Sequence, residues 1–178
     1  EMYSASISEE ELRAAERHFQ TALSEHGGDV GKTDKGKLMR HLRQAREALL
    51  SLIPEEAEQS GAPWNAGRRN PRRISAVDSL VKKLTALAAL LSDLFDEEGR
   101  ERDDAELSFY FRMLRFLTIA DLLDDHYLIY GERRPADGVF LKLLCVDPSE
   151  RLAVCMERAA STILFSATLL PIRVYKPL

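Results

Sequence analysis

Hydrophobic residues fall into four helix-spaced blocks before the pattern changes near residue 125. Ser8 and Glu11 stand three apart, as the partners of a capping box do. Leu12, Ala15, Phe19, Ala22 and Leu23 then share one helical face until Gly27-Gly28 stops the run. A second helix is predicted after Thr33 or Asp34, with the narrow stripe Leu38, Leu42, Ala45, Leu49 and Leu52 and with Pro54 at or just past its end. Residues 55–73 are punctuated by Gly61, Pro63, Gly67 and Pro71 and read as a loop. Ser75 can cap a third helix, whose Val77, Leu80, Val81, Leu84, Leu87, Ala88, Leu91, Leu94 and Phe95 make the most regular stripe in the chain.

The fourth helix is predicted over about 105–124 and is apolar on two sides. Leu107, Tyr110, Phe111, Leu114 and Leu117 form one face; Phe109, Met113, Phe116, Ala120 and Leu123 form the other. A helix with two apolar faces needs more than one neighbour, which places it centrally in a helical bundle.

After Asp125 the period shortens. Residues 127–130 and 139–146 are short β-prone runs separated by Pro135, Asp137 and Gly138. Ser149 is the expected cap of a short helix bearing Leu152, Met156 and Ala159, and residues 162–166 read as another buried strand. Strand–helix–strand order predicts an α/β segment with a parallel sheet. So few elements cannot cover both faces of a sheet, and the segment is expected either to complete a structure lying outside this chain or to improvise its cover.

With 178 residues and 45% apolar content, the chain can bury a substantial core. The formal charge of −4 gives no global attraction to nucleic acid, so any polyanion contact must be local. Arg68, Arg69, Arg72 and Arg73 supply such a cluster, with Trp64 near enough to stack on a base. The competing reading is a solvated loop whose arginines bridge to the acidic helices.

Other patterns lead less far. Gly27-Gly28-Asp29-Val30-Gly31-Lys32-Thr33 lacks the first glycine of a phosphate loop, a place taken by His26, and follows a helix where the motif requires a strand. Asp121, Asp124, Asp125 and His126 read as a polar helix end, and no metal site is expected. His18, His26 and His41 are expected on solvated helix surfaces. Cys145 and Cys155 match no zinc or disulfide spacing, lie in apolar company and read as reduced, buried thiols of a cytoplasmic protein. No apolar run approaches the length of a membrane span, and no signal peptide is expected.

The end of the chain carries the most specific string. Leu143-Leu144-Cys145-Val146-Asp147-Pro148-Ser149 is followed by a short helix and by Ile163-Leu164-Phe165-Ser166-Ala167-Thr168-Leu169-Leu170-Pro171. This resembles the XPD/DinG family of superfamily 2 DNA helicases, whose third helicase motif is a Ser-Ala-Thr or Ser-Gly-Thr at a strand end. Leu170 stands where the family more usually has serine. Glu1-Met2-Tyr3-Ser4-Ala5 is similar to the segment that follows the Asp-Glu-Ala-His box, where the family inserts a helical arch domain.

The resemblance implies a mainly α fold: a four-helix arch-like bundle over 1–126, then a partial RecA-like α/β segment over 127–178. It also implies an ATP-dependent DNA helicase, moving 5′ to 3′, as the parent. Ser166, Ala167 and Thr168 would couple hydrolysis to unwinding there, while the arch borders the path of single-stranded DNA and can receive a protein partner. ATP, Mg2+ and a 4Fe-4S cluster belong to the parent. The groups that would hold them are absent from this chain, which is expected to be inactive alone. The alternative is a helical protein-interaction module without DNA contact.

Overall fold

A computed structural model describes residues 3–25, 29–54, 71–96 and 103–163. The chain divides into two compact units, Glu1–Val146 and Asp147–Leu178. The first contains β1 (Ala5–Ser8), α1 (Glu9–Glu25), α2 (Asp29–Ser51), β2 (Arg72–Arg73), α3 (Asp78–Asp96), α4 (Asp104–Ala120), β3 (Tyr127–Arg134) and β4 (Gly138–Cys145). The second contains α5 (Ser149–Glu157). The described chain is thus mainly helical with a small antiparallel sheet, and the boundary expected near residue 126 falls inside the first unit.

The predicted stripes become the core. Leu12 and Phe19 of α1, Leu38, Leu42 and Leu49 of α2, and Leu80, Leu84, Leu87 and Leu91 of α3 are all buried. At about 2 kcal/mol of transfer free energy for each fully buried leucine, this seam dominates stability. α1 packs against α2 and α4, and α3 also packs against α2 and α4, so the four helices close on one another. α4 buries Phe109, Met113, Phe116 and Ile119, whereas Leu107, Tyr110, Leu114 and Leu117 lie partly buried at the margin of the core. Phe95 of α3 meets Tyr110 edge to face at 5.3 Å, and Phe111 is 61% exposed.

The expected capping box forms. Ser8 Oγ accepts the Glu11 N–H at 3.2 Å, and Glu11 Oε2 accepts the Ser8 N–H at 2.8 Å. α2 starts at Asp29, earlier than predicted, so Gly31, Lys32 and Thr33 are helical. A helical glycine costs about 1 kcal/mol relative to alanine. The local pattern therefore argued for a later start than the packed helix adopts, and a helical Gly31-Lys32-Thr33 is no phosphate loop. α4 ends at Ala120, shorter than predicted, and its N-cap Asp103 accepts the Ala105 N–H at 3.2 Å. Ser149 is the first residue of α5 and not its cap: Asp147 Oδ1 accepts the Ser149 N–H at 2.9 Å, with Pro148 at the N-cap.

The strand expected at 162–166, which would pair in parallel with 139–146, lies largely outside the described residues; the sheet that is described is antiparallel. Its order is β1-β4-β3-β2, and every pairing is antiparallel. β3 and β4 are joined by residues 135–137, and so short a connection permits only a hairpin; a parallel pair needs a long crossover. Gly138 closes the turn at φ +64°, a conformation costly for residues with a Cβ. The start of α1 docks on this turn. Glu10 donates its N–H to the Asp137 carbonyl at 3.1 Å, and the buried Glu9 accepts the Val139 N–H at 3.2 Å.

One face of the sheet lies on the helices. Ile7, Val139, Leu141 and Leu143 are buried there, and Gly131 sits against Ile53, just past the end of α2. A Cβ on Gly131 would collide with Ile53 Cδ1, so Ile53, as it lies, packs where only glycine leaves room on β3. Arg133 secures the same junction by donating to the Ile53 carbonyl at 3.0 Å.

Candidate nucleic-acid interface

Two arginines of the predicted cluster lie within the described residues. They form β2, a two-residue edge strand paired with β3: Arg72 opposite Gly131 and Arg73 opposite Tyr130. The Ile74 N–H extends the ladder to the Ile129 carbonyl at 2.9 Å. Because side chains alternate across a strand, the two arginines point to opposite faces. Arg72 shares the row of Gly131, Leu141 and Ile7 beside the helices and is half-buried; Arg73 is exposed on the other face. Arg68, Arg69 and Trp64 lie outside the described residues, as do Ser166, Ala167 and Thr168.

Arg73 therefore joins a row that crosses all four strands: Arg73, Tyr130, Lys142 and Ser6 are successive register partners. The next row on the same face holds Glu132, Phe140 and Ser8. The Arg134 guanidinium lies over the Phe140 ring, 3.4 Å from its centroid. It also meets Glu132 Oε1 at 2.5 Å and Asp137 Oδ2 at 3.4 Å, so its charge is largely matched locally. Leu128 opposite Leu144 completes the face. Leu128, Tyr130, Phe140 and Leu144 are partly exposed and belong to no part of the helix-packed core.

The sequence reading missed Tyr130, Phe140 and Lys142. Each has the ordinary look of a strand residue; only the register places Tyr130 beside Arg73, more than fifty residues away, with Lys142 next in that row and Phe140 in the row after it. The alternation of 127–134 and 139–145 could have signalled a second, semi-apolar face.

A separate cleft of about 450 Å3 opens between α1 and α4, lined by Glu10, Glu11, His18, Phe19, Phe109 and Arg112 among others. Several of its charged groups are tied to neighbours. Glu11 meets Arg112 at 2.9 Å, Glu10 meets Arg17 at 2.5 Å, and His18 Nε2 lies 3.0 Å from the Asp103 carboxylate. His18 is thus an interhelical contact and not merely a solvated surface residue. Asp121 forms the C-cap of α4, and Asp124 Oδ1 accepts the His126 N–H at 2.9 Å, so these acids shape the α4–β3 turn. No group of three or more potential metal ligands occurs among the described residues. No helix among them is long and apolar enough to cross a membrane.

The second unit presents a different surface. In α5 Leu152 is half-buried, Val154 and Met156 are exposed, and Ile163 beyond it is 85% exposed. Cys155, expected to be buried, is exposed on α5, and Cys145 at the end of β4 is half-buried. No protein-family model matches the sequence, and no curated protein is significantly similar to it.

Proposed function

We propose that this chain is the arch insert, with the segment carrying helicase motif III, of an XPD/DinG-type ATP-dependent DNA helicase that moves 5′ to 3′. The observation that carries the reading is the pairing of β1 with β4, with Ala5 opposite Leu143 and Ser6 opposite Lys142. A domain inserted into another must leave and return at nearly the same place. By the resemblance, β1 follows the point where the chain leaves the motor, and β4 runs into the Cys145-Val146-Asp147-Pro148-Ser149 string where it comes back. Neighbouring strands lie about 5 Å apart, so an insert bounded by them spans no gap in its host. The boundary between the two compact units also falls within that string, between Val146 and Asp147. The exposed apolar residues Val154, Met156 and Ile163 fit a segment meant to be covered by the rest of a RecA-like domain.

In this reading the arch borders single-stranded DNA through the arginine cluster. Ser166, Ala167 and Thr168 transmit hydrolysis to strand separation, and ATP, Mg2+ and the 4Fe-4S cluster are held by other parts of the parent. The test is ATPase and unwinding by the parent on a duplex with a 5′ single-stranded tail. Single-strand-stimulated hydrolysis and 5′-to-3′ unwinding are expected, and Ser166→Ala with Thr168→Ala should lower unwinding more than ATP turnover. A parent without DNA-stimulated ATPase overturns the assignment, whereas an equal loss of both activities overturns only the coupling role.

A second reading, a protein-interaction module, is favoured by one observation. Phe111 stands 61% exposed on α4, a large ring on a helix otherwise anchored in the core. Such rings anchor protein interfaces. Phe111→Ser should abolish capture of a partner by the parent while leaving single-strand affinity unchanged.

A further inference from the structure

We propose that the outer face of the four-stranded sheet is a stacking platform for single-stranded nucleic acid. Bases would lie on Tyr130 and on the Phe140–Arg134 pair, and phosphates would meet Arg73 and Lys142. The inference deepens the DNA-contact reading above and rests on it for the class of ligand. It moves the contact from the arginine-rich loop, where the sequence put it, to a defined surface on the sheet.

Three observations converge on this face. The first is its second apolar layer. In a sheet covered on one side by helices, the free side ordinarily alternates to polar residues. Here the free side carries Leu128, Leu144, Tyr130 and Phe140, none of them packed into the core.

The second is the row order. Arg73, Tyr130 and Lys142 are consecutive register partners, so an aromatic ring stands between two cations. Directly opposed side chains have Cβ atoms about 5 Å apart, which places both cations within reach of the backbone of a base seated on Tyr130. Phe140 lies one row away on the diagonal, about 7 Å on, with the planar Arg134 guanidinium stacked on its ring, and that pair supplies the second flat surface.

The third is charge. Arg134 is matched by Glu132 and Asp137, whereas Arg73 and Lys142 stand on either side of Tyr130 by register, with Arg73 the exposed cation of the two. Arg73 makes no ion pair among the described residues and is exposed. A chain with a net charge of −4 that sets arginine and lysine around a half-exposed ring has the local pattern a polyanion needs, although its overall charge is repulsive.

Why a single strand, and not a duplex, follows from the geometry. Duplex bases have their faces covered by stacking, so only an unpaired strand can offer them to Tyr130 and Phe140. Stacking is indifferent to base identity, since every base has a π-face, so sequence-tolerant binding is the consequence.

The test is fluorescence anisotropy of the whole 178-residue chain with labelled oligothymidylate and oligouridylate of about 15 nucleotides, and with a duplex of equal length. Both single strands should bind, the duplex more weakly; preference between the two strands identifies DNA or RNA as the ligand. Tyr130→Leu keeps an apolar side chain but removes the ring, and should weaken single-strand binding about tenfold. Arg73→Glu with Lys142→Glu should weaken it at least as much and make the salt dependence shallower by about 1–2 in log–log slope. Circular dichroism establishes that each variant is folded. Should Tyr130→Leu fail to fold, Arg73→Glu alone, at an exposed position, serves in its place.

Unchanged affinity in the sheet variants, with loss on Arg68→Ala and Arg69→Ala, would overturn the platform and leave DNA contact by the loop standing. No single-strand binding even at low salt would overturn both. Self-association that Tyr130→Leu abolishes, without nucleic-acid binding, would assign the face to protein and overturn the proposal.

Discussion

One carboxylate, that of Glu11, joins the start of α1 to the side of α4: Oε2 accepts the Ser8 N–H at 2.8 Å while Oε1 receives the Arg112 guanidinium at 2.9 Å. The cap fixes the carboxylate rotamer, so Arg112 meets an already oriented partner. Side-chain entropy, which cancels much of the value of most surface ion pairs, is thereby reduced. Glu11→Ala removes both contacts and should cost about 1–2 kcal/mol, lowering the thermal midpoint by a few degrees. Glu11→Gln can still cap and should lose only a fraction of that. Equal losses in the two variants would show that the ion pair, not the cap, holds this corner.

The approach of α2 to the sheet is a matter of one missing methyl group. Gly131→Ala would place its Cβ on Ile53 Cδ1, and the junction must open or Ile53 must change rotamer, at about 1–3 kcal/mol. Ile53→Val removes the colliding atom. Combined with Gly131→Ala, it should recover part of the loss, so that the double variant is more stable than the sum of the singles predicts. Strict additivity in urea melts would mean that Gly131 matters for backbone freedom and not for this contact.

What could be read from the chain follows from how local each cause is. The capping box at Ser8 and Glu11 and the leucine stripe of α3 depend on residues within a few turns, and the structure has both. β1 and β2 were not foreseen. Ala5–Ser8 is only four residues long and β2 only two, too short for a pattern to single them out; each is a strand because β4 or β3 offers it an open edge. The hairpin is legible in the turn residues Pro135, Asp137 and Gly138, whereas the strand–helix–strand order that predicts a parallel pair concerns 139–146 and 162–166. The candidate site shows the same limit. Arg73 was visible as a cation, while its place beside Tyr130 depends on pairing between segments more than fifty residues apart.

Glu16 gives a prediction with a salt signature. Its carboxylate is 15% exposed and takes Arg43 Nε at 2.8 Å and a terminal nitrogen of Arg46 at 3.2 Å, bridging α1 to α2. Arg43 is itself 61% exposed, so screening limits the worth of its half of the bridge. Glu16→Gln should cost about 1 kcal/mol at low ionic strength and less at high salt. A penalty independent of salt would indicate that packing of the side-chain stem is what matters.

His41 should make the helical layer sensitive to mild acid. Its pKa lies below the ordinary histidine value, chiefly because burial disfavours the imidazolium and further because Arg40 and Lys83 repel it. Nδ1 is buried and makes no hydrogen bond among the described residues, so nothing there stabilises a proton. Lys83 is held nearby through Gln44, whose Oε1 it reaches at 3.3 Å. The unfolded chain therefore binds a proton more readily than the folded one. Stability from neutral His41 is complete above about pH 6.5 and is lost as pH falls through the lowered folded value. His41→Gln removes the titration. Thermal midpoints of the two proteins should run parallel above neutrality and diverge toward pH 5, with the wild type falling faster. Parallel curves across the whole range would mean that the folded protein takes up the His41 proton as easily as the unfolded chain does.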